Sequence, residues 1–161
     1  MSFRDSINSW LAALNAPAGT TLSLDETGAV GIALAGGLIL TIEVEETGMV
    51  HLHCSLRRLP ADATRATMIE EAMALNLFNR GTEGATLGLD RQSDTLVLSV
   101  SRDIASLTQE DFATLLVVFA ETAGNLQNRL SALTAPAVTP AAPPHAAQPF
   151  FTDHADPRFL A

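Results

Sequence analysis

Two histidines two residues apart are the pairing in this chain with the plainest chemistry. His51-Leu52-His53 on a strand would place both imidazoles on one face, because side chains alternate across a sheet. Imidazole nitrogens ligate transition metals, and a nearby carboxylate would extend the set. A hairpin turned at Glu46-Thr47-Gly48 sets Glu43 opposite His51 and Thr41 opposite His53, all on the outer face. A metal-dependent sensor or hydrolase using His51, His53 and Glu43 is therefore one reading. A cross-strand ion pair between Glu43 and His51 explains the same residues. The other two histidines, His145 and His154, lie far along the chain in a proline-rich stretch, so no metal or cofactor is expected.

The remaining reactive groups have structural explanations. Cys54 shares the inward parity of its strand and reads as a small core residue rather than a nucleophile. As the lone cysteine it excludes an internal disulfide framework and a cysteine-based zinc site. The serines of Ser99-Val100-Ser101 have no glycine elbow, and no third group completes a triad. Gly81, Gly84 and Gly88 lead into a strand rather than a helix, unlike a phosphate loop. Glu45-Glu46 and Glu70-Glu71 read as solvated faces and turn positions. No catalytic residue emerges, and the expectation is a protein that is not an enzyme.

The elements that position these groups follow from periodicity. Apolar residues at 3, 7, 10, 11 and 14 predict a helix over residues 2–15, stopped by Pro17 and Gly19. Four strands are expected next, joined by loops Glu26-Thr27-Gly28, Ala35-Gly36-Gly37 and Glu46-Thr47-Gly48. Parity sets Leu22 and Leu24 against Ile32 and Val30. It then sets Val30, Ile32 and Leu34 against Ile42, Leu40 and Leu38. Val44, Ile42, Leu40 and Leu38 in turn face Val50, Leu52, Cys54 and Leu56. Every inward position is apolar, as a meander with one buried face requires.

Asp62 is placed to cap a second helix near residues 63–79, ended by Arg80 and Gly81. Its apolar positions form two stripes: Ala66, Ile69, Met73, Leu77, and Met68, Ala72, Leu75. One sheet covers one stripe, so a second subunit is the natural cover for the other, expected at Met68, Ala72 and Leu75. A hairpin pairs 85–89 with 96–100 around Arg91-Gln92-Ser93-Asp94. Thr108-Gln109-Glu110-Asp111 reads as a capping box opening a third helix. Its stripe is Phe112, Leu115, Leu116, Phe119, Ala123, Leu126 and Leu130. The order α-β-β-β-β-α-β-β-α predicts an α+β domain, a twisted antiparallel sheet packed on helices, over residues 1–133.

The chain has 161 residues, 47% apolar and 17% charged, a globular composition. Eighteen acidic residues face nine basic ones, all arginine, for a net charge of −9. No basic patch for nucleic acid can be assembled from this, and docking on anionic lipid is disfavoured. No apolar run approaches the ~18 residues of a membrane helix, and residues 1–6 lack the order of a signal peptide. A cytoplasmic location without membrane insertion is expected. Six of the eight prolines lie in residues 134–161, an Ala/Pro-rich tail. One reading is a solvating extension. The other is a docking segment, in which Phe150, Phe151, Phe159 and Leu160 fold back onto the domain's own apolar surface.

Three stretches carry a resemblance: Leu22-Ser-Leu-Asp-Glu-Thr-Gly28, Ala74-Leu-Asn-Leu-Phe78, and Gly84-Ala-Thr-Leu-Gly-Leu-Asp90 followed by Thr95-Leu-Val-Leu-Ser99. Taken in order with the helices and meander, they make the chain resemble the class I type III secretion chaperones, the CesT or Tir chaperone family. The tail is not a feature of the short members. The resemblance implies a homodimer in a Gram-negative cytoplasm whose middle helix contributes to the interface. It implies binding of the N-terminal segment of one or more secreted effectors in extended form, and presentation of them to the secretion ATPase. A YbjN-like regulatory domain has a similar layout without the link to secretion. For effector contact the positions expected are Ile7, Trp10, Leu11 and Leu14 on the first helix. On the outer sheet face they are Ile39 and Met49, where apolar side chains want a partner.

Overall fold

The computed structural model describes residues 2–14 and 21–134. The expected helix stop at Pro17 and Gly19 and the tail beyond Thr134 lie outside them. The first helix, α1 (Phe3–Ala13), opens on a capping box in which Ser2 and Asp5 satisfy each other's main-chain N–H. Strands β1 (Ala29–Ala33), β2 (Ile39–Val44) and β3 (Met49–Arg58) follow as a meander, then α2 (Thr64–Asn76). The hairpin β4 (Thr86–Asp90) and β5 (Thr95–Asp103) leads into α3 (Gln109–Ala132). The five strands form one antiparallel sheet in the order β1-β2-β3-β5-β4, an α+β architecture.

Register agrees with side-chain parity. Val30 pairs with Ile42, Ile32 with Leu40, Leu40 with Cys54, Ile42 with Leu52 and Val44 with Val50. The inward positions of β2 and β3 are buried from Leu38 to Leu56, and β5 adds Leu96, Leu98 and Val100. Across this face lies α3, started by the expected box between Thr108 and Asp111. It buries Phe112, Leu116, Phe119, Ala123, Leu126 and Leu130, with Leu115 half-buried. A fully buried Phe112 alone contributes about 2–3 kcal/mol, and Trp10 tilts against it with ring centroids 5.5 Å apart.

Two expectations are corrected. Residues 22–24 form no strand, so the sheet has five strands and not six. The Leu24 N–H donates instead to Asn8 Oδ1 on α1 at 2.8 Å, and only the Asp25 N–H reaches β1, at Ala29 O. Arg4 ties the following turn to α1 through the carbonyls of Glu26 and Thr27. The guanidinium lies so close over Gly28, whose φ is +90°, that a Cβ there would clash with it.

The second correction concerns α2. Met68, Ala72 and Leu75, expected at a dimer interface, are the helix's buried residues and sit in the chain's own core. Gly81 folds back onto Leu75 closely enough to leave no room for a side chain. Leu75 is thereby fixed on the inner side of the helix. The stripe left facing outward is the other one, with Ala66 and Met73 exposed, Ile69 half-buried and Leu77 exposed just past the helix. Asp62 does accept the Thr64 N–H at 2.9 Å at the helix start. The Thr64 hydroxyl and N–H hold its carboxyl below the ordinary aspartate value.

Candidate functional site

The two outer strands of the sheet differ in what their main chain offers. On β1, the Val44 N–H donates to Gly28 O and the Leu34 N–H to Leu38 O. Alternation in an antiparallel ladder then turns residues 28, 30, 32 and 34 toward β2, and Ala29, Gly31 and Ala33 away from it. Ala29 is satisfied by Asp25: its N–H donates to Asp25 Oδ1 at 3.0 Å and its carbonyl accepts the Asp25 N–H at 2.8 Å. The Thr27 hydroxyl, followed by main-chain N–H groups, holds the Asp25 carboxyl below its ordinary value. Gly31 and Ala33 have no such partner among the described residues, and both are exposed.

Apolar surface flanks this short open edge on both faces. Val30 and Ile32 are half-buried on the inner side. On the outer side Ile39 is 59% exposed and packs beside the bare backbone of Gly31. An edge with unpaired N–H and C=O groups and apolar neighbours is a template for an added strand.

On β4 the corresponding groups of the middle residue, Leu87, are occupied. Asn76, the last residue of α2, donates through its amide nitrogen to Leu87 O and accepts the Leu87 N–H, both at 2.8 Å. A side-chain amide thus mimics a neighbouring strand and seals the middle of β4. Beside it lies an exposed apolar face on and just after α2, comprising Met73, Leu77 and Phe78. Arg80 stacks over Phe78 at 5.6 Å.

The residues expected to meet a partner divide accordingly. Ile7 and Leu11 are fully buried against the sheet and α3, so they are corrected to core residues. Trp10 and Leu14 are half-buried at the margin of that core. Ile39 is exposed beside the open edge, and Met49 is half-buried on the outer face across from Asp103. Asn76 and Asn8, which decide the state of the two edges, were not singled out by sequence reasoning. Asn76 carried a legible signal, since it continues the Met68–Ala72 stripe by one helical step and puts a polar group on a buried face.

The histidines do not gather around Glu43. Glu43 and His51 are opposite in register, as expected, but Glu43 reaches diagonally to His53 Nε2 at 3.1 Å. The His51 ring turns the other way, with Nδ1 2.7 Å from Ser101 Oγ. Its Nε2 lies 3.1 Å from Glu45 Oε1 without hydrogen-bond geometry. Among the described residues no group of three or more His, Cys, Asp and Glu side chains is placed to hold a metal ion. The reading as a metal site with His51, His53 and Glu43 is thereby corrected to two separate contacts, Glu43 diagonally to His53 and His51 directly across to Ser101. Cys54 is buried, and that burial pushes its thiol pKa up, away from nucleophilic use.

Residues 9–127 match the model of the Tir chaperone protein (CesT) family, which spans most of the described chain. The chain belongs to the CesT family. A protein of Chlamydia pneumoniae is 32% identical over 93 residues, covering 58% of this chain and 70% of that relative. Among solved structures the ExsC–ExsE complex superposes with a TM-score of 0.61 at 19% identity, covering 81% of this chain and 97% of the other. The HopA1–SchA chaperone–effector complex gives 0.60 at 16% identity, covering 78% and 93%. The ExoU–SpcU complex from the type III secretion system of Pseudomonas aeruginosa gives 0.58 at 19%, covering 76% and 95%. The chain thus has the fold of the type III secretion chaperones. Its CesT membership places it in a chaperone family, which is not an enzyme class. Among the described residues no helix is long and apolar enough to cross a membrane.

Proposed function

We propose that this CesT-family chain is a type III secretion chaperone. It binds the N-terminal region of one or more effectors in extended form, keeps them soluble and competent for secretion, and delivers them to the secretion apparatus. The observation that supports this most directly is the open edge at Gly31 and Ala33, flanked by apolar surface on both faces. Main-chain pairing at such an edge is indifferent to the partner's sequence, while Ile39, Met49, Trp10 and Leu14 would supply selectivity. Ordering an extended segment costs about 2–5 kcal/mol, so a large wrapped surface is needed to offset it.

A homodimer doubles that surface. The Met73, Leu77 and Phe78 face is its contact in this proposal, replacing the stripe that lies in the core. The reading places the chaperone unit in residues 1–133, in the cytoplasm of a Gram-negative bacterium. Its partners are secreted effectors and the secretion ATPase, with no nucleic acid and no catalytic step. The complexes of similar fold, one of them a chaperone–effector complex, support the effector part of it.

The test is capture of partners from native cytosol on the tagged chain, followed by limited proteolysis and mass spectrometry. One or a few proteins, each protected only over a segment near its N-terminus, are expected. Capture of folded partners with no protected terminal segment would overturn the reading.

A further inference from the structure

The open edge of β1 has a candidate occupant within the chain itself. The helix α3 ends over the central strand β3, at the end of the sheet that carries the β1–β2 loop. Gln127 lies within reach of Gly36 O in the loop that follows β1. Thr134 and Ser131 are held by the two terminal nitrogens of Arg57 at 2.7 and 2.9 Å. Seven residues of helix cover about 10 Å, so the chain leaves the domain about that far from the β1–β2 loop. Fifteen residues then separate Thr134 from Phe150. Fully extended they span about 50 Å, more than the distance required.

The composition of the tail points to one segment. A chain that adds to a sheet edge must supply main-chain N–H groups, which proline lacks. Between Pro136 and Pro157 the prolines leave a single run longer than four residues free of them, Phe150–Asp156. That run opens on two adjacent phenylalanines. Consecutive residues of a strand point to opposite faces, so one ring would meet Ile39 over the bare backbone of Gly31. The other would meet Ile32 and Val30 on the inner side. Two neighbouring aromatic residues suit an edge that is apolar on both faces. They would be wasted on one with a single apolar face.

We propose that Phe150–Asp156 adds as a further strand to the free edge of β1, with Phe150 and Phe151 astride it, and that an effector must displace this segment. The displacement rests on the function proposed above, whereas the strand addition does not.

Hydrogen exchange on the full chain, without any client, tests the strand addition. At an effective concentration on the order of 1 mM, a segment with Kd of about 0.1 mM would slow exchange about tenfold. The Gly31 and Ala33 amides of the full chain are therefore expected to exchange about tenfold more slowly than those of the Phe150→Asp, Phe151→Asp variant. A second variant, Thr152→Pro with Asp153→Pro, keeps both rings but removes two adjacent N–H groups, one of which must face the ladder. It is expected to lose the same protection. Equal exchange in the full chain and the aspartate variant overturns the proposal, as does protection that survives the proline pair. Failure to capture any effector would leave this result unaffected and would count against the chaperone reading alone.

Discussion

The two outer strands of the sheet are blocked at different places, β4 in its middle and β1 only at its start. The β4 edge is blocked in its middle, where Asn76 spends both ends of its amide on Leu87, while Leu89 has no such partner among the described residues. The β1 edge is satisfied only at Ala29, by Asp25, and stays open at Gly31 and Ala33. Open edges invite unwanted pairing, and a side-chain amide in mid-strand interrupts the ladder an added strand would need. The difference therefore suggests a division of labour. The β4 side, interrupted at Leu87 and apolar in Met73, Leu77 and Phe78, suits a second folded copy. The β1 side suits an extended chain.

The sharpest way to break that division is on α2. Met68→Glu places a charge at a fully buried position and should leave the protein unfolded or insoluble, a loss of several kcal/mol. Met73→Glu should leave protomer stability within about 0.5 kcal/mol while converting a dimer to a monomer by light scattering. A stable Met68→Glu dimer would show the faces exchanged.

Ile32→Pro comes next, because the Ile32 N–H faces β2 in the register opposite Leu40. Loss of that ladder bond and the side-chain packing should cost about 2–3 kcal/mol in urea unfolding. On the sealed side, Asn76→Ala strands the Leu87 N–H and carbonyl. A cost of about 2 kcal/mol follows, lowering the melting temperature by about 5–10 °C. An unchanged melt would mean the β4 edge is not closed by this side chain.

The smallest effect belongs to Asp25, whose folded-state pKa lies below its ordinary value. A carboxylate of this kind stabilises the fold fully above about pH 5. That contribution fades as the pH falls through the lowered folded value, below about 3.9. The stability difference between the wild-type chain and Asp25→Asn, followed by urea titration, should therefore shrink with acid.

How far the fold was legible varies by element, for physical reasons. Parity of apolar side chains was enough for the β2–β3 register, since a slip of one residue would turn Leu40, Ile42, Leu52 and Cys54 to solvent. The same parity misled at Leu22 and Leu24. Both are half-buried as expected, but side-chain periodicity says nothing of where an N–H goes, and Asn8 takes the one at Leu24. The strand expected to cover β1 is absent for that reason, and the open edge is its consequence. On α2, two stripes of similar apolar content left periodicity without a preference. What distinguishes them is the close return of Gly81 onto Leu75 and the polar Asn76 at the end of the buried stripe. At the histidines, register was correct while the pairing was diagonal, a choice made by side-chain reach rather than by strand alignment.

Pairing of an effector segment with the β1 edge is tested most directly by Ala33→Pro. The Ala33 N–H points away from β2, so proline there removes no bond of the native ladder and adds only an obstacle to an incoming strand. With the fold confirmed by circular dichroism, affinity for a captured effector segment should fall about tenfold or more, the equivalent of about 1.4 kcal/mol or more. Wild-type affinity in a folded Ala33→Pro chain would move the binding site off this edge.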